Sequence, residues 1–114
     1  YQRRVCEELE KRKITLAMLD RPDLPGLPPE TQILTSDMAY YRLHGRNADQ
    51  WWNGNATSRY DYDYSPQELK ERARALVALS KRAGKVFVAF NNHARGNAVK
   101  NARALVALIK ELLP

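Results

Sequence analysis

The sequence contains few of the residues and motifs from which a specific chemistry is usually inferred. Its one cysteine, Cys6, has no partner in the chain, which excludes an internal disulfide framework and a cysteine-based zinc site. There is no run of about eighteen apolar residues, so no membrane-spanning helix and no membrane partner are expected. The sequence also lacks a P-loop, a dinucleotide-binding fingerprint and a nucleophile elbow. A reducing, cytoplasmic setting fits this composition best, and the sequence leaves any cofactor unknown.

Positive charge exceeds negative charge, with 19 Lys and Arg against 13 Asp and Glu and a formal net charge of +6. This excess favours anionic partners through the long-range field. Many basic residues, however, are interleaved with apolar residues at helical spacing, as solvated helix faces require. Arg72 and Arg74 are examples in one segment, and Lys100 and Arg103 in another. The charge balance is therefore only a weak indication of nucleic-acid binding.

The apolar pattern predicts alternating helices and strands. Short, nearly continuous apolar runs are typical of strands covered on both faces, as parallel strands are. In order, the predicted elements are a helix over 1–13, a strand over 14–19, an irregular proline-rich link over 21–37, a strand over 38–43, a long loop, a helix from Pro66, a strand over 86–90 and a helix from Asn97. Strands connected by such crossovers lie parallel. The predicted fold class is therefore α/β, with about three parallel strands and flanking helices.

The start of the helix after the long loop carries the clearest local signal. Ser65 suits the N-cap, Pro66 the first helical position, and Glu68 completes a capping box. Gly84 is expected to end this helix in a left-handed conformation. The final helix is expected to bury one apolar stripe, formed by Ala98, Ala102, Leu105, Val106, Ile109 and Leu112.

A sheet of three parallel strands leaves two edges and at least one face uncovered. This is a poor end state for a folded domain in water. We therefore expect either that a further segment completes the sheet or that the chain associates with itself.

Four separated motifs resemble those of the YecE-like or DUF72 proteins, an uncharacterised family. They are LDRP at 19–22, YRLHGR at 41–46, YDYDY at 60–64 before Glu68 and Leu69, and FNNH at 90–93 followed by Gly96, Ala98, Asn101 and Ala102. The resemblance covers nearly the whole chain. Members of this family resemble TIM-type (β/α)8 barrels of more than twice this length.

This resemblance implies an architecture for the chain. Residues 1–114 would be the C-terminal part of a single barrel domain, carrying its sixth, seventh and eighth strands and its last helices. The first five strands would then lie outside this sequence. The family brings no settled activity with it, so the chemistry has to be argued from the residues.

In a barrel, the functional site lies at the carboxyl ends of the strands. That position holds Asp20, residues 44–47 and residues 91–93. Strand alternation places Tyr40, Arg42 and His44 on one face. Because an arginine inside a strand is costly to bury unless it is paired or faces an anion, we expect Arg42 to point into the barrel near its mouth. The alternative is an ion pair with a carboxylate from the missing strands.

His44, His93 and Asp20 are the candidate catalytic residues. Either histidine would serve as an acid or a base, because histidine titrates near neutral pH. The three residues together are also candidate ligands of a divalent metal, but a metal needs three or four ligands, and no metal site is predicted. The alternative for each histidine is a hydrogen-bonded structural role.

The candidate substrate-binding residues are mostly polar residues of the same loops, namely Arg42, Arg46, Tyr62, Asn91, Asn92, Gly96 and Asn101. The two loops and the start of the last helix suit an anion, because unpaired backbone N–H groups and the helix dipole favour negative charge. Asparagines of this kind also tie loops to strand ends, and Arg46 also suits an ordinary exposed loop position. The loop aromatics suit either a stacking platform or, more readily, a satellite hydrophobic cluster.

Three functional hypotheses follow. The first is an enzyme acting on a phosphorylated or otherwise anionic small molecule, with Arg42 and Arg46 as anion-binding residues. The second is a nucleic-acid-binding or nuclease-like protein that uses the basic surface. The third is a truncated fragment with no activity.

Overall fold

A computed structural model describes residues 3–22, 24, 33–52 and 54–114. Most of the predicted proline-rich link over 21–37 lies outside these residues. The described elements are α1 (Arg3–Arg12), β1 (Ala17–Asp20), β2 (Met38–Leu43), α2 (Ala56–Arg59), α3 (Pro66–Ser80), β3 (Lys85–Phe90) and α4 (Asn97–Leu112), with a 3-10 turn at Ala94–Gly96. No helix within these ranges is long and apolar enough to cross a membrane.

The three strands form one parallel sheet in the order β1, β2, β3. Ala17 pairs with Tyr40 in β2, and Leu19 pairs with Arg42. Arg42 pairs in turn with Ala89 in β3. The predicted α/β class, with three parallel strands and flanking helices, is confirmed.

Helices cover one side of the sheet, here called the helix side. Its core consists of residues buried between the strands and helices α3 and α4, namely Met18, Ala39, Tyr41, Leu43, Tyr64, Leu69, Ala73, Leu76, Leu79 and Leu105. The alternating residues of the strands form the opposite side, here called the open side. Phe87 on the open side is 51% exposed. The Cα atoms span only 17 Å in the thinnest direction, which fits one sheet and one helix layer.

β1 starts three residues later than predicted, and a side chain explains why. The Thr35 hydroxyl accepts a hydrogen bond from the Leu16 backbone N–H at 2.9 Å and donates to the Ile14 carbonyl at 2.6 Å. These backbone groups are therefore bound by a side chain before the strand ladder begins. The long loop contains a further element that was not predicted, the short helix α2, which begins with a capping box between Asn55 and Ser58.

The start of α3 is as predicted, but its end is not. Ser65 accepts from the Glu68 backbone N–H at 3.1 Å, and Glu68 accepts from the Ser65 N–H at 2.9 Å, which confirms the capping box. Lys81, in a right-handed conformation, caps the other end of α3. Gly84 donates to the Asp37 carbonyl at 2.7 Å, and a Cβ there would lie 2.3 Å from Asp37 Oδ2. A side chain at position 84 would therefore have to displace the Asp37 carboxylate, and the predicted left-handed stop is wrong.

The buried face of α4 also differs from the predicted apolar stripe. Val106 is 52% exposed and Leu112 is 43% exposed, whereas Asn97, Asn101 and Leu105 are buried. The helix is rotated toward its asparagines because Asn101 binds the loop before α3. A buried amide is tolerated when its hydrogen bonds are made.

Candidate functional site

The predicted site residues Asp20 and His44 both lie at the carboxyl ends of the strands, but their side chains face opposite sides of the sheet. Asp20 aligns with Leu43 in the parallel register, so its side chain faces the helix side and is fully buried. His44 follows Leu43 and therefore faces the open side. Although the His44 backbone N–H donates to the Asp20 carbonyl at 3.0 Å, the two side chains do not share one site.

Asp20 is the centre of a buried group of side chains, here called the Asp20 network. Arg46 binds it with two hydrogen bonds, Nε to Oδ2 at 3.0 Å and Nη2 to Oδ1 at 2.8 Å. The Tyr64 hydroxyl donates to Oδ2 at 2.6 Å, and Arg72 Nε lies 3.7 Å from Oδ1. Arg72 also donates to the Tyr41 hydroxyl.

Glu68 extends the Asp20 network. The remaining terminal nitrogen of Arg46, Nη1, donates to Glu68 Oε2 at 3.1 Å. The network thus balances two carboxylates against two guanidinium groups. The hydrogen bond to Asp20, opposed by burial and assisted by the charge of Glu68, raises the pKa of Arg46 above its ordinary value. Three of the five N–H groups of Arg46 are therefore already bound within the network.

Two tyrosine hydroxyls serve this network as donors. Tyr64 also accepts a hydrogen bond from the Gly45 backbone N–H at 2.9 Å. Burial, followed by the charge of Asp20, raises the pKa of Tyr64 well above its ordinary range. The Tyr62 hydroxyl donates to Glu68 at 2.8 Å, and burial and this contact raise the pKa of Tyr62 to about 12. Both hydroxyls therefore keep their protons near neutral pH.

Asn92 and Asn101 hold the loop that precedes α3. Asn92 Nδ2 donates to the Tyr62 carbonyl and to Asn101 Oδ1, both at 2.8 Å. Asn101 Oδ1 also accepts from the Tyr64 backbone N–H at 3.1 Å, and its Nδ2 donates to Asp63 at 3.0 Å. These contacts fit the structural alternative for both asparagines. Their predicted part in substrate binding stays a prediction.

His44 lies on the open side in an aromatic setting. Its ring stacks on Tyr60, with centroids 5.2 Å apart, and meets Trp51 edge-on at 6.3 Å. Its Nδ1 lies 3.0 Å from Asn91 Nδ2. Burial and the nearby charge of Arg42 lower the pKa of His44 below 6.5, and the charge of Asp20 opposes them. His44 is therefore neutral at neutral pH.

Arg42 precedes His44 by two residues on the same side of the sheet. Its strand partners are Leu19 and Ala89, both apolar. Its Nε is buried and makes no hydrogen bond among the residues that the structure describes. Arg42, His44 and Asn91 form what is here called the open-side cluster.

The remaining predicted residues follow Asn91 in the chain. His93 is exposed, with Nδ1 2.9 Å from the Asn91 carbonyl. Gly96 is the N-cap of α4 with a left-handed φ of 71°, and a Cβ at this position would have no neighbour within 4 Å. Within the described ranges, no group of three or more His, Cys, Asp or Glu side chains is placed to hold a metal.

Sequence reasoning missed three members of the Asp20 network, namely Arg72, Glu68 and Tyr64, of which Tyr64 is predicted only as one of the loop aromatics. The helical spacing predicts a solvated position for Arg72, but its side chain is only 13% exposed, so that prediction is wrong. The sequence pattern identifies Glu68 only as a capping residue. The signal for Arg72 is a position next to the buried Ala73, where an arginine reaches the sheet from the edge of the helix face.

A parallel sheet with helices on one side and polar side chains at the carboxyl ends of its strands is what one sector of a (β/α) barrel presents. Residues 1–113 match the family described as "Protein of unknown function DUF72", and the chain belongs to this family. The family predicted from the four motifs is confirmed.

Solved structures of the same family are similar over nearly the whole chain. A DUF72 family protein from Thermotoga maritima MSB8 is 40% identical with a TM-score of 0.85, covering 97% of this chain and 41% of that one. One from Enterococcus faecalis V583 is 28% identical with a TM-score of 0.85, covering 94% of this chain and 41% of that one. The curated UPF0759 protein YunF of Bacillus subtilis (strain 168) is 28% identical over 100 residues, 82% of this chain and 36% of that protein. The chain thus spans about two fifths of its relatives' length.

Proposed function

We propose that this chain supplies the anion-binding part of a small-molecule site in a DUF72 barrel, and that the complete protein is an enzyme acting on a phosphorylated or otherwise anionic metabolite. The observation that carries this proposal is the buried Nε of Arg42 on the open side of the sheet, which has no hydrogen-bond partner among the residues that the structure describes. The family is one of unknown function, so the proposal rests on the geometry of this chain.

The surroundings of Arg42 favour an anion from outside the described residues. The Arg42 side chain is half-buried, but its Nε is fully buried, and a buried donor is costly unless it has a hydrogen-bond partner. The strand neighbours Leu19 and Ala89 have no polar side-chain atoms. The planar fork of arginine matches two oxygens of a carboxylate or phosphate.

The cations on the helix side are already compensated, which supports Arg42 over Arg46 as the anion ligand. Arg46 donates to Asp20 and Glu68 with three of its N–H groups. The Gly45 N–H is likewise bound by Tyr64. Anion binding is therefore proposed for the open side, two residues before the loop that the sequence favours.

The position of the site in the whole protein is part of the same proposal. Strands outside this sequence complete the sheet, and β1, β2 and β3 are the sixth, seventh and eighth strands of one barrel domain. Arg42 and His44 then point toward the barrel mouth, where catalytic groups of such barrels lie. The single cysteine supports a reducing, cytoplasmic location.

Calorimetric titration of the full-length protein with inorganic phosphate and with citrate tests the proposal. Arg42→Gln keeps a polar side chain but removes the charge, and we expect about tenfold weaker binding or more, since a hydrogen bond to a charged group contributes about 1.5–3 kcal/mol. Arg95→Gln is the matched control, because Arg95 is exposed and pairs with Asp61 at 3.1 Å. Equal binding by wild type and Arg42→Gln would refute the proposal.

The nucleic-acid hypothesis is distinguished in the same measurements. Contacts to a phosphate backbone release counterions, so oligonucleotide binding would fall steeply with added salt. Tight, strongly salt-dependent binding that Arg42→Gln leaves intact would favour that hypothesis over the small-molecule site.

A further inference from the structure

We infer that Asn91 is a positioning residue that holds His44 in the neutral tautomer with its proton on Nε2, so that the ring presents an N–H donor to the open side. The role of that donor toward a ligand rests on the proposed function. The tautomer itself rests only on the geometry of His44 and Asn91.

The contact between the two side chains determines which ring nitrogen carries the proton. Asn91 Nδ2 lies 3.0 Å from His44 Nδ1. An amide nitrogen only donates, so Nδ1 must accept with its lone pair. In a neutral ring the proton then resides on Nε2.

A protonated ring would oppose this contact in the orientation of the Asn91 amide that the structure shows. It would place an N–H donor of His44 against the donating amide group of Asn91, with Arg42 nearby as a second positive group on the same side. Asp20, the acidic group that acts on His44, is turned to the helix side and bound by Arg46.

The ring also has little freedom to turn over. It stacks on the Tyr60 ring with 24° between the two planes. The Trp51 ring contacts it edge-on, with 66° between the planes. A half turn about Cβ–Cγ would replace Nδ1 by a carbon opposite the Asn91 amide. That exchange would cost the hydrogen bond, so the observed orientation is favoured.

The inferred tautomer narrows what the site can bind. His44 Nε2 has no hydrogen-bond partner among the described residues, which leaves its proton available. The atom facing it must be an acceptor, such as a carboxylate, phosphate or carbonyl oxygen. Arg42 selects for the same chemistry. In this tautomer His44 acts as a hydrogen-bond donor. It is not a base through Nε2, which already carries a proton, and it is not a proton-donating acid, because a neutral ring that lost this proton would become an imidazolate.

Long-range ¹H–¹⁵N correlation of ring nitrogens in the ligand-free, ¹⁵N-histidine-labelled full-length protein tests the tautomer. The signals from this segment come from only two histidines, and His93→Gln assigns them. We expect Nδ1 of His44 to show an unprotonated shift and Nε2 a protonated one. His93 is the internal contrast, because its Nδ1 faces a carbonyl at 2.9 Å and must donate there. The reverse pattern for His44, or two averaged shifts, would overturn the inference.

Asn91→Asp tests whether Asn91 is the cause. A carboxylate of the same shape accepts instead of donating, so we expect the proton of His44 to move to Nδ1. Gln50→Glu adds the same charge at an exposed position of the loop after β2 and should leave the pattern unchanged. An unchanged pattern in Asn91→Asp would show that Asn91 does not position the ring.

The ligand role has its own readout, separate from the proposed function. Phosphate at saturating concentration should shift Nε2 of His44 and leave Nδ1 nearly unchanged. If phosphate binds and requires Arg42 but shifts neither nitrogen, the donor role is wrong while the proposed function stands. Arg42→Gln should abolish the shift and preserve the ligand-free tautomer.

Discussion

At the carboxyl ends of the strands, the two sides of the sheet differ in whether their charged side chains have partners. On the helix side, Asp20 is bound by Arg46 and Tyr64 and lies close to Arg72. On the open side, Arg42 Nε is buried without a partner in the described part of the chain. Among the described residues, the charged groups at the strand ends are thus compensated where helices cover the sheet. Buried polar groups are nearly always hydrogen-bonded, so the buried Nε of Arg42 supports the proposal that a further group binds on the open side.

The largest expected effect concerns the open side as a whole. The 114-residue segment on its own should self-associate, because the apolar residues of the uncovered face, such as Phe87, gain by leaving water. Light scattering over a range of concentrations measures this. Phe87→Lys should reduce association, whereas Val99→Lys, on the exposed face of α4, should change it little. A monomer that unfolds cooperatively at all concentrations would show that the open side does not drive association.

Removing the central charge of the helix side should have the next largest effect. Asp20→Asn leaves Arg46 without its bidentate partner, and breaking a buried ion pair in this way costs about 3–5 kcal/mol. Chemical denaturation of the full-length protein measures the loss in free energy of unfolding. Asp61→Asn is the control, because its partner Arg95 is exposed and such pairs contribute about 0–1 kcal/mol. Similar losses in the two variants would show that the Asp20 network is not specially stabilising.

A smaller effect is expected for one hydroxyl of the same network. Tyr64→Phe removes a donor to Asp20 and leaves the Gly45 N–H without its acceptor, which should cost about 1–3 kcal/mol. Tyr62→Phe removes a hydroxyl that binds only Glu68, and we expect about 0.5–1.5 kcal/mol there. Urea denaturation of both variants compares them, and a larger loss for Tyr62→Phe would be inconsistent with the buried network described here.

The smallest effect is a pH dependence of the free energy of unfolding, which comes from His44 on the open side. The pKa of folded His44 lies below 6.5, mainly because of burial, so the unfolded chain binds more protons as the pH falls through 6.5. The free energy of unfolding should therefore decline as the pH is lowered from 7.5 through this region. His44→Gln should remove this contribution. Denaturation curves at several pH values measure it. A rise in stability on mild acidification that depends on His44 would show that folding raises the pKa of His44 instead of lowering it.

Local patterns predict much of this fold from the sequence. The capping box of Ser65 and Glu68 involves residues three apart, and the alternation of Arg42 and Leu43 involves adjacent ones, so neither depends on distant structure. The prediction for Gly84 is wrong because its backbone is placed by Asp37, which binds the Gly84 N–H and is 47 positions away. Contacts at this separation leave no local signature.

The composition of the candidate site depends on register, which the sequence does not specify. The side that Asp20 faces follows from its pairing with Leu43, and a shift by one residue would place it beside His44. The sequence therefore places Asp20 correctly at the strand end but cannot tell which side its carboxylate faces. Its predicted catalytic role remains a prediction.

The buried side chain of Asn101 has a consequence for how the chain folds. Its contacts reach Tyr64 and Asp63, 37 and 38 positions earlier, and one of them replaces a backbone hydrogen bond that the loop does not make for itself. Closing a segment of that length carries an entropic cost that local helix formation avoids. We therefore expect Tyr64 and its neighbours to become ordered only once α4 has docked. On this expectation the Asp20 network, which needs Tyr64, forms late in folding, and Tyr64→Phe should speed unfolding more than it slows folding.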